Sequence, residues 1–401
     1  MSTTLEIEIQ TLAASASASA SASASVAFTR RRVLGRLAGA VAAVGCGVPA
    51  WAAARTLRIG STFDNSGVEK ANGAALYLGA TAFINAFNKA GGLAGLRLEL
   101  VMADDQFKPD VAKTNAQAFV ADKSILALLQ PLGTRQTAAV MEAVRDMAVV
   151  GPNTGTVALR KKGAANVFWV RANYDQEVEK LVSTAATLGI KNIGLVHPND
   201  PLGQSLLAAF GAAMSKFQLQ PGVIATTPNT TSLDVDAAAK AIAKTPPQVV
   251  IMGLAGTAPA FVRALRGAGC TSSIYGLSIG ASATNIKALG EASRGLGFSI
   301  VVPSPFASKH ELVRRYQADM QAFGSTDFSL PGLEGYLNAR VLTEGLRRAG
   351  GAPTRESVMA ALESLDSLDV GGVRIAYGKE RREGSNFVDV AAVGVGGRLI
   401  S

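Results

Sequence analysis

Residues 125–137 read ILALLQPLGTRQT, and residues 148–156 read AVVGPNTGT. The first opens with five apolar residues, too few for a helix and bounded by Gln-Pro, which is the signature of a buried strand. Pro131-Leu132-Gly133 then turns the chain, and the spacing predicts a helix over 137–145. Ala148-Val149-Val150 is a second short apolar run, closed by Gly-Pro-Asn. Strand, helix and strand at this spacing make a βαβ unit, and such units build parallel sheets.

Working outward, the same rhythm holds on both sides. Upstream, strands are predicted at 57–60 and 96–102, with helices at 73–89 and 111–121. Downstream the pattern restarts with a helix at 175–187. Strands at 193–197, 223–226, 248–252 and 274–277 then alternate with helices at 202–217, 235–243 and 259–267 and a short one at 285–289. Two successive sets of this kind imply an α/β protein of two doubly wound, Rossmann-like lobes. Helical stretches at 311–323 and 333–365 follow. Strands at 373–377 and 387–393 close the chain as a hairpin, around a charged, solvated turn at 379–382.

The composition removes several other classes. Of 401 residues, 48% are hydrophobic and 17% charged, which excludes a disordered chain. Two cysteines and two histidines exclude a disulfide scaffold and leave little for a metal site. The formal charge of +9 suits anionic partners, but aromatic content is 6% and no basic run exceeds three residues, so no nucleic-acid partner is expected. The glycine clusters at 91–95 and 394–397 do not form a dinucleotide fingerprint, and no cofactor is expected. Neither a nucleophile elbow nor a zinc-protease signature is present, which argues against an exported enzyme.

Residues 1–54 read as a leader. Ala and Ser alternate through 14–25, a low-complexity run that nucleates no core. Arg30-Arg31-Arg32-Val33-Leu34 then precedes an apolar stretch to Val48, and Pro49-Ala50-Trp51-Ala52-Ala53-Ala54 ends it with small residues. A basic segment, a short apolar core and an A-x-A site make an export signal, and the twin arginines point to the Tat route. The apolar stretch is too short to span a bilayer. Ala43 stands where a lipoprotein signal carries Leu, so cleavage is favoured over a lipid anchor at Cys46. The expected location is periplasmic.

In open α/β sheets ligands bind beyond the carboxyl ends of strands. Here those loops are rich in hydroxyls and amides: Asp64 and Asn65 after the first strand, Gly133 and Thr134 after the third, and Asn153, Thr154 and Thr156 after the fourth. Each opens a helix, where backbone N–H groups and the helix dipole favour an anion such as a carboxylate. Helix capping is the alternative role for the same residues.

At these positions the chain resembles the leucine/isoleucine/valine-binding family, periplasmic binding proteins of type I that serve ABC importers. The resemblance rests on several stretches in order. They are Gly73 with Gly79-Ala80, Phe83-Ile84-Asn85 and Gly91-Gly92-Leu93-Ala94-Gly95; then Leu98-Glu99-Leu100 with Asp104-Asp105 and Pro109. Pro131-Leu132-Gly133-Thr134 with Gly151-Pro152 follows, then 170–177, then Asp200-Pro201-Leu202-Gly203. The resemblance implies two lobes joined by three crossovers, near 171–173, 302–303 and 368–371. One lobe then takes 55–171 plus 303–369 and the other 172–302 plus 370–401. It implies closure on a small-molecule ligand, a carboxylate or amino acid, and delivery to an inner-membrane ABC permease. A sensor using the same closure is the alternative.

The resemblance also implies further cleft residues. Tyr174 lies at the first crossover, Leu202 falls on an aromatic lid position, and Asn72 falls on a family tyrosine. Ser278 falls where amino-acid-binding members place an acid against the ligand ammonium. An ammonium without that acid would be buried unpaired, so an ammonium-free carboxylate is expected.

Overall fold

The computed structural model describes residues 56–161 and 164–401. The leader assigned to residues 1–54, with its twin arginines, its cleavage site and Cys46, lies outside the described residues.

The first sheet is laid down by β1 (Thr56–Phe63), α1 (Lys70–Lys89), β2 (Arg97–Asp104), α2 (Pro109–Ala121), β3 (Ile125–Leu129), α3 (Thr134–Ala143), β4 (Ala148–Val150), α4 (Val157–Lys161) and β5 (Val167–Phe168). Its strands are all parallel, in the order β2-β1-β3-β4-β5. The second set follows: α5 (Tyr174–Thr187), β6 (Ile193–Pro198), α6 (Pro201–Lys216), β7 (Pro221–Thr227), α7 (Asp236–Lys244), β8 (Val249–Met252), α8 (Ala258–Gly267), β9 (Ser273–Gly276), α9 (Ala283–Leu289) and β10 (Gly297–Ile300). These strands order as β7-β6-β8-β9-β10, the same winding repeated. β4, β6 and β8 are buried at every residue, as central parallel strands are when helices cover both faces.

Three helices, α10 (Glu311–Ala322), α11 (Leu330–Ala349) and α12 (Arg355–Glu363), then return to the first sheet. α11 lies along α1 at very short range. A Cβ at Gly79 would fall 1.8 Å from the Gly332 carbonyl, and one at Gly335 would fall 2.0 Å from the Leu76 carbonyl. This close crossing sets the first turns of α11 against the middle of α1 and leaves Pro331 and Glu334 in the same cavity wall as Asn72.

The carboxyl-terminal region departs from the sequence expectation in two ways. The helix expected over 333–365 is two helices. Gly350 ends α11, and Thr354 opens α12 with a capping box to Ser357. The expected hairpin between 373–377 and 387–393 does not form. Instead β11 (Leu368–Asp369) pairs with β12 (Arg374–Ile375), because Asp369 Oδ1 accepts the N–H groups of Gly371 and Gly372, each at 2.8 Å, and closes a tight turn. β13 (Asp389–Val393) instead adds antiparallel to β10, and β14 (Leu399–Ile400) adds to β13. β5 and β10 were not expected: one is two residues long, and Gly297 and Ser299 interrupt the apolar run of the other.

The chain passes between the sheets at 169–173, again after β10, and again at 376–388. The first and last of these passages run side by side. Gly384 N–H donates to the Trp169 carbonyl at 2.8 Å, and Ser385 N–H donates to that of Val170 at 3.2 Å. Arg160 ties them further, donating to the carbonyls of Arg171 and Ala172 and pairing with Glu383 at 3.2 Å. The turn at 379–382 is exposed as expected only through residue 381. Arg382 instead lies over the Phe168 ring, 5.0 Å from its centroid, and pairs with Glu363 at 3.0 Å.

Candidate functional site

In a sheet ordered 2-1-3-4-5, neighbouring helices depart to opposite faces between the first and third strands, and a crevice opens at their carboxyl ends. This molecule has two such points, β1/β3 and β6/β8, and the loops from both line one cavity. Glu69 and Asn72 come from the loop and first turn after β1, Leu132 and Gly133 from the loop after β3, residues 134–136 from the first turn of α3, and Asn153 from the loop after β4. The second sheet contributes Asp200 and Leu202 after β6, residues 229–231 after β7, Ala255 after β8 and Ser278 after β9. Pro331 and Glu334 enter from α11, and Arg171 and Tyr174 from the first crossing.

Three hydroxyls meet at the amino end of α3. Thr134 Oγ1 lies 2.8 Å from Thr154 Oγ1 and 2.9 Å from Thr156 Oγ1, and the latter two are 3.1 Å apart. Only Thr134 of the three reaches the cavity wall, beside Gly133; Thr154 and Thr156 stand behind and orient it. The first-turn N–H groups of a helix have no partner within it, so this corner presents donors to an anion.

Below it lies a buried ion cluster. Arg171 Nη2 donates to Glu177 Oε1 at 2.8 Å and to the Ser278 hydroxyl, and Nη1 is 3.2 Å from Glu334 Oε2. Burial opposes the arginine's charge, but Glu334 and Glu177 outweigh it and raise its pKa. Glu334, also 5% exposed, is pushed up by burial more than Arg171 and the Asn153 amide (3.1 Å) pull it down. One cation faces two buried carboxylates, so the cluster is short of positive charge.

Glu69 is a further buried acid, with its pKa pushed up to about 7 by burial. Asp200 is used structurally: Oδ1 accepts the N–H groups of Leu202 and Gly203, and Oδ2 that of Thr230 at 2.8 Å. Phe107, Leu132, Leu202, Ala255, Ile279 and Pro331 give the cavity its apolar wall. Among the described residues no cluster of His, Cys, Asp and Glu has the arrangement of a metal site.

A sequence profile for periplasmic binding proteins matches residues 56–397. The chain belongs to the periplasmic binding protein family. It is 26% identical over 312 residues to the Leu/Ile/Val-binding protein BraC3 of Rhizobium johnstonii, covering 75% of this chain and 82% of that one. Its fold matches a crystal structure of a possible leucine/isoleucine/valine-binding protein from Rhodopirellula baltica, with a TM-score of 0.82, 24% identity, and coverage of 87% and 97%. It likewise matches a substrate-binding periplasmic protein from Ralstonia solanacearum, with a TM-score of 0.79, 29% identity, and coverage of 86% and 99%. These matches place the chain with solute-binding proteins of the leucine/isoleucine/valine-binding type. No helix among the described residues is long and apolar enough to cross a membrane.

Of the residues expected in this binding protein's site, Asn72, Gly133, Thr134, Asn153, Tyr174, Leu202 and Ser278 line the common cavity. Asp64 and Asn65 do not. Asp64 is buried beneath its loop, accepting the N–H groups of Ser66, Gly67 and Glu69, and Asn65 is exposed, its N–H bonded to Asp104 at 2.9 Å. Asp64 closes the loop ahead of α1 rather than capping the helix, whose N-cap is Glu69 with no side-chain cap bond. Sequence reasoning missed Glu69, Gln136 and Glu334. Glu69 lies five residues beyond Asp64, on the same loop. Glu334 sits in an ordinary helical pattern, and only the close packing of α11 on α1 brings it here.

Proposed function

We propose that this chain is the periplasmic solute receptor of a branched-chain-amino-acid-type ABC importer. It captures a small carboxylate or amino-acid-like ligand between its lobes and delivers it to an inner-membrane permease. The observation that carries this reading is the shared cavity: loops from both sheets line it, so ligand contacts on both sides exist together only when the lobes are closed. Such a ligand shifts the population toward the closed form, which a permease can then recognise.

The lobe limits read from the sequence, 55–171 with 303–369 and 172–302 with 370–401, belong to this reading with one adjustment. The ladder between 169–170 and 384–385 supports a last crossing near residue 385. Within the cavity, Thr134 and the first turn of α3 hold the ligand carboxylate.

Ser278 weakened the case for an ammonium group, but Glu334 stands in the same wall and shares its one cation, Arg171, with Glu177. Its burial supports a ligand whose other end donates N–H or carries positive charge, and amino-acid-like ligands stay in the expected class. The test is a thermal-shift screen against branched-chain amino acids, ammonium-free aliphatic and aromatic carboxylates, and amides. A ligand at about 100 times its dissociation constant stabilises by about 2.7 kcal/mol. Stabilisation by amino acids and not by their deaminated analogues supports the role of Glu334, and the reverse result assigns the ligand to the carboxylates. A screen in which no small carboxylate or amino acid stabilises the protein refutes the reading.

A further inference from the structure

Glu69 reaches across the cleft. Its Oε1 accepts the Gly256 N–H at 2.8 Å, from the loop after β8, while Oε2 accepts the Asn72 side-chain amide at 2.6 Å within its own turn. Glu69 is 3% exposed. Gly256 is what allows the approach: a Cβ there would lie 2.9 Å from Oε1 and 3.1 Å from the Val68 carbonyl. A backbone N–H of one sheet and a carboxyl attached to the other can meet this way only while the cleft is shut.

The group has no cation to hold its charge. Burial raises its pKa, the N–H groups of Gly256 and Asn72 lower it, and Asp64, whose carboxylate accepts the Glu69 N–H at 2.7 Å, raises it again. The other charged residues around the cavity are Arg135, Arg171, Asp200 and Glu334. Arg171 is taken up by Glu177 and Glu334, and Arg135 is exposed.

We propose that Glu69 is a proton-dependent latch between the lobes: shutting the cleft over it takes up a proton, so acidification favours the closed form. Coupling of this latch to solute capture rests on the receptor reading above. The sign follows from linkage. Opening the cleft returns the carboxyl to water and relieves the burial that pushes its pKa up to about 7, so its value falls toward the ordinary 4.5. The closed form therefore binds more protons between these values. Its advantage is complete below the lower value and is lost as the pH rises through about 7.

The test follows closure without any ligand. Donor and acceptor dyes are placed on Gln117→Cys in α2 and Lys240→Cys in α7, both exposed, with the buried Cys270→Ser. Single-molecule energy transfer then counts closed molecules at pH 5.5 and pH 8. The closed-to-open ratio is expected to be on the order of tenfold higher at the lower pH, following the difference between the two pKa values. Glu69→Gln keeps an acceptor for Gly256 but cannot titrate, and its ratio is expected to be flat. Gly256→Ala, which crowds Oε1, is expected to lower the ratio at both pH values. A wild-type ratio that does not change with pH, or a Glu69→Gln ratio with the wild-type slope, overturns the latch. Failure to find a solute in the thermal-shift screen refutes only the receptor reading, because closure here is measured on the ligand-free chain.

Discussion

Arg171 Nη1 stands 3.2 Å from Glu334 Oε2, which ties the first crossing to α11 beneath the cavity floor. The same guanidinium holds Glu177 of α5 at 2.8 Å and the Ser278 hydroxyl, so one side chain joins elements packed on both sheets. Both carboxylates are buried, and removal of the arginine leaves two buried charges without a counter-ion.

Arg171→Met is therefore expected to destabilise the fold by about 3–5 kcal/mol. Urea unfolding checks this. A loss below about 1 kcal/mol would mean that Glu177 and Glu334 find other partners or take up protons.

Thr134→Val keeps the shape at the amino end of α3 but removes the hydroxyl that both Thr154 and Thr156 contact. Those two still reach each other at 3.1 Å, so the expected loss of stability is only about 1–2 kcal/mol. Ligand affinity should fall by about tenfold, as one good hydrogen bond to a charged group is lost. Calorimetric titration with the best ligand of the screen measures it; unchanged affinity would move the carboxylate away from this corner.

Asp105 is fully buried, accepting from the Phe107 N–H and the Thr62 hydroxyl, and burial pushes its pKa up to about 7. The folded chain thus holds a proton that the unfolded chain releases near pH 4. Unfolding free energy is expected to decline as the pH rises from about 4 to 7. Asp105→Asn, which can still accept from Phe107 and can donate to Thr62, should flatten that part of the profile and be the more stable protein at pH 8. Denaturation at four or five pH values decides it, and parallel wild-type and variant profiles would contradict the assignment.

Gly335→Ala places a methyl group 2.0 Å from the Leu76 carbonyl and forces α11 away from α1. The expected cost is about 1–3 kcal/mol. Because Glu334 is the neighbouring residue, ligand binding should weaken as well, whereas the exposed Gly351→Ala, with nothing within 4 Å of its Cβ, should alter neither. Thermal unfolding and titration of the two variants make the comparison.

The winding of both sheets was legible because each βαβ unit is a local pattern. An apolar run such as Ile125–Leu129, a Pro-Gly turn and an amphipathic helix leave one chain direction for the next strand. The loops that line the cavity were legible for the same reason, since strand ends and helix starts are set by neighbours in sequence. Where local signals were weak, expectation failed. The strands β5 and β10 carry too few apolar residues to announce themselves, and the turn at 371–372 sent β12 back to β11 instead of on to β13.

Sequence alone therefore sufficed for the α/β class, the repeated winding and the hydroxyl-rich loops at Thr134 and Thr154, because each loop is set by a strand end and the helix start next to it. The charge of the cavity needed the assembled fold. Glu334 approaches Arg171 only because Gly79 and Gly335 let two helices touch backbone to backbone, and Glu69 meets Gly256 only because two sheets face one another. Burial and pairing set the charge state of each acid, and both come from residues far apart in the chain.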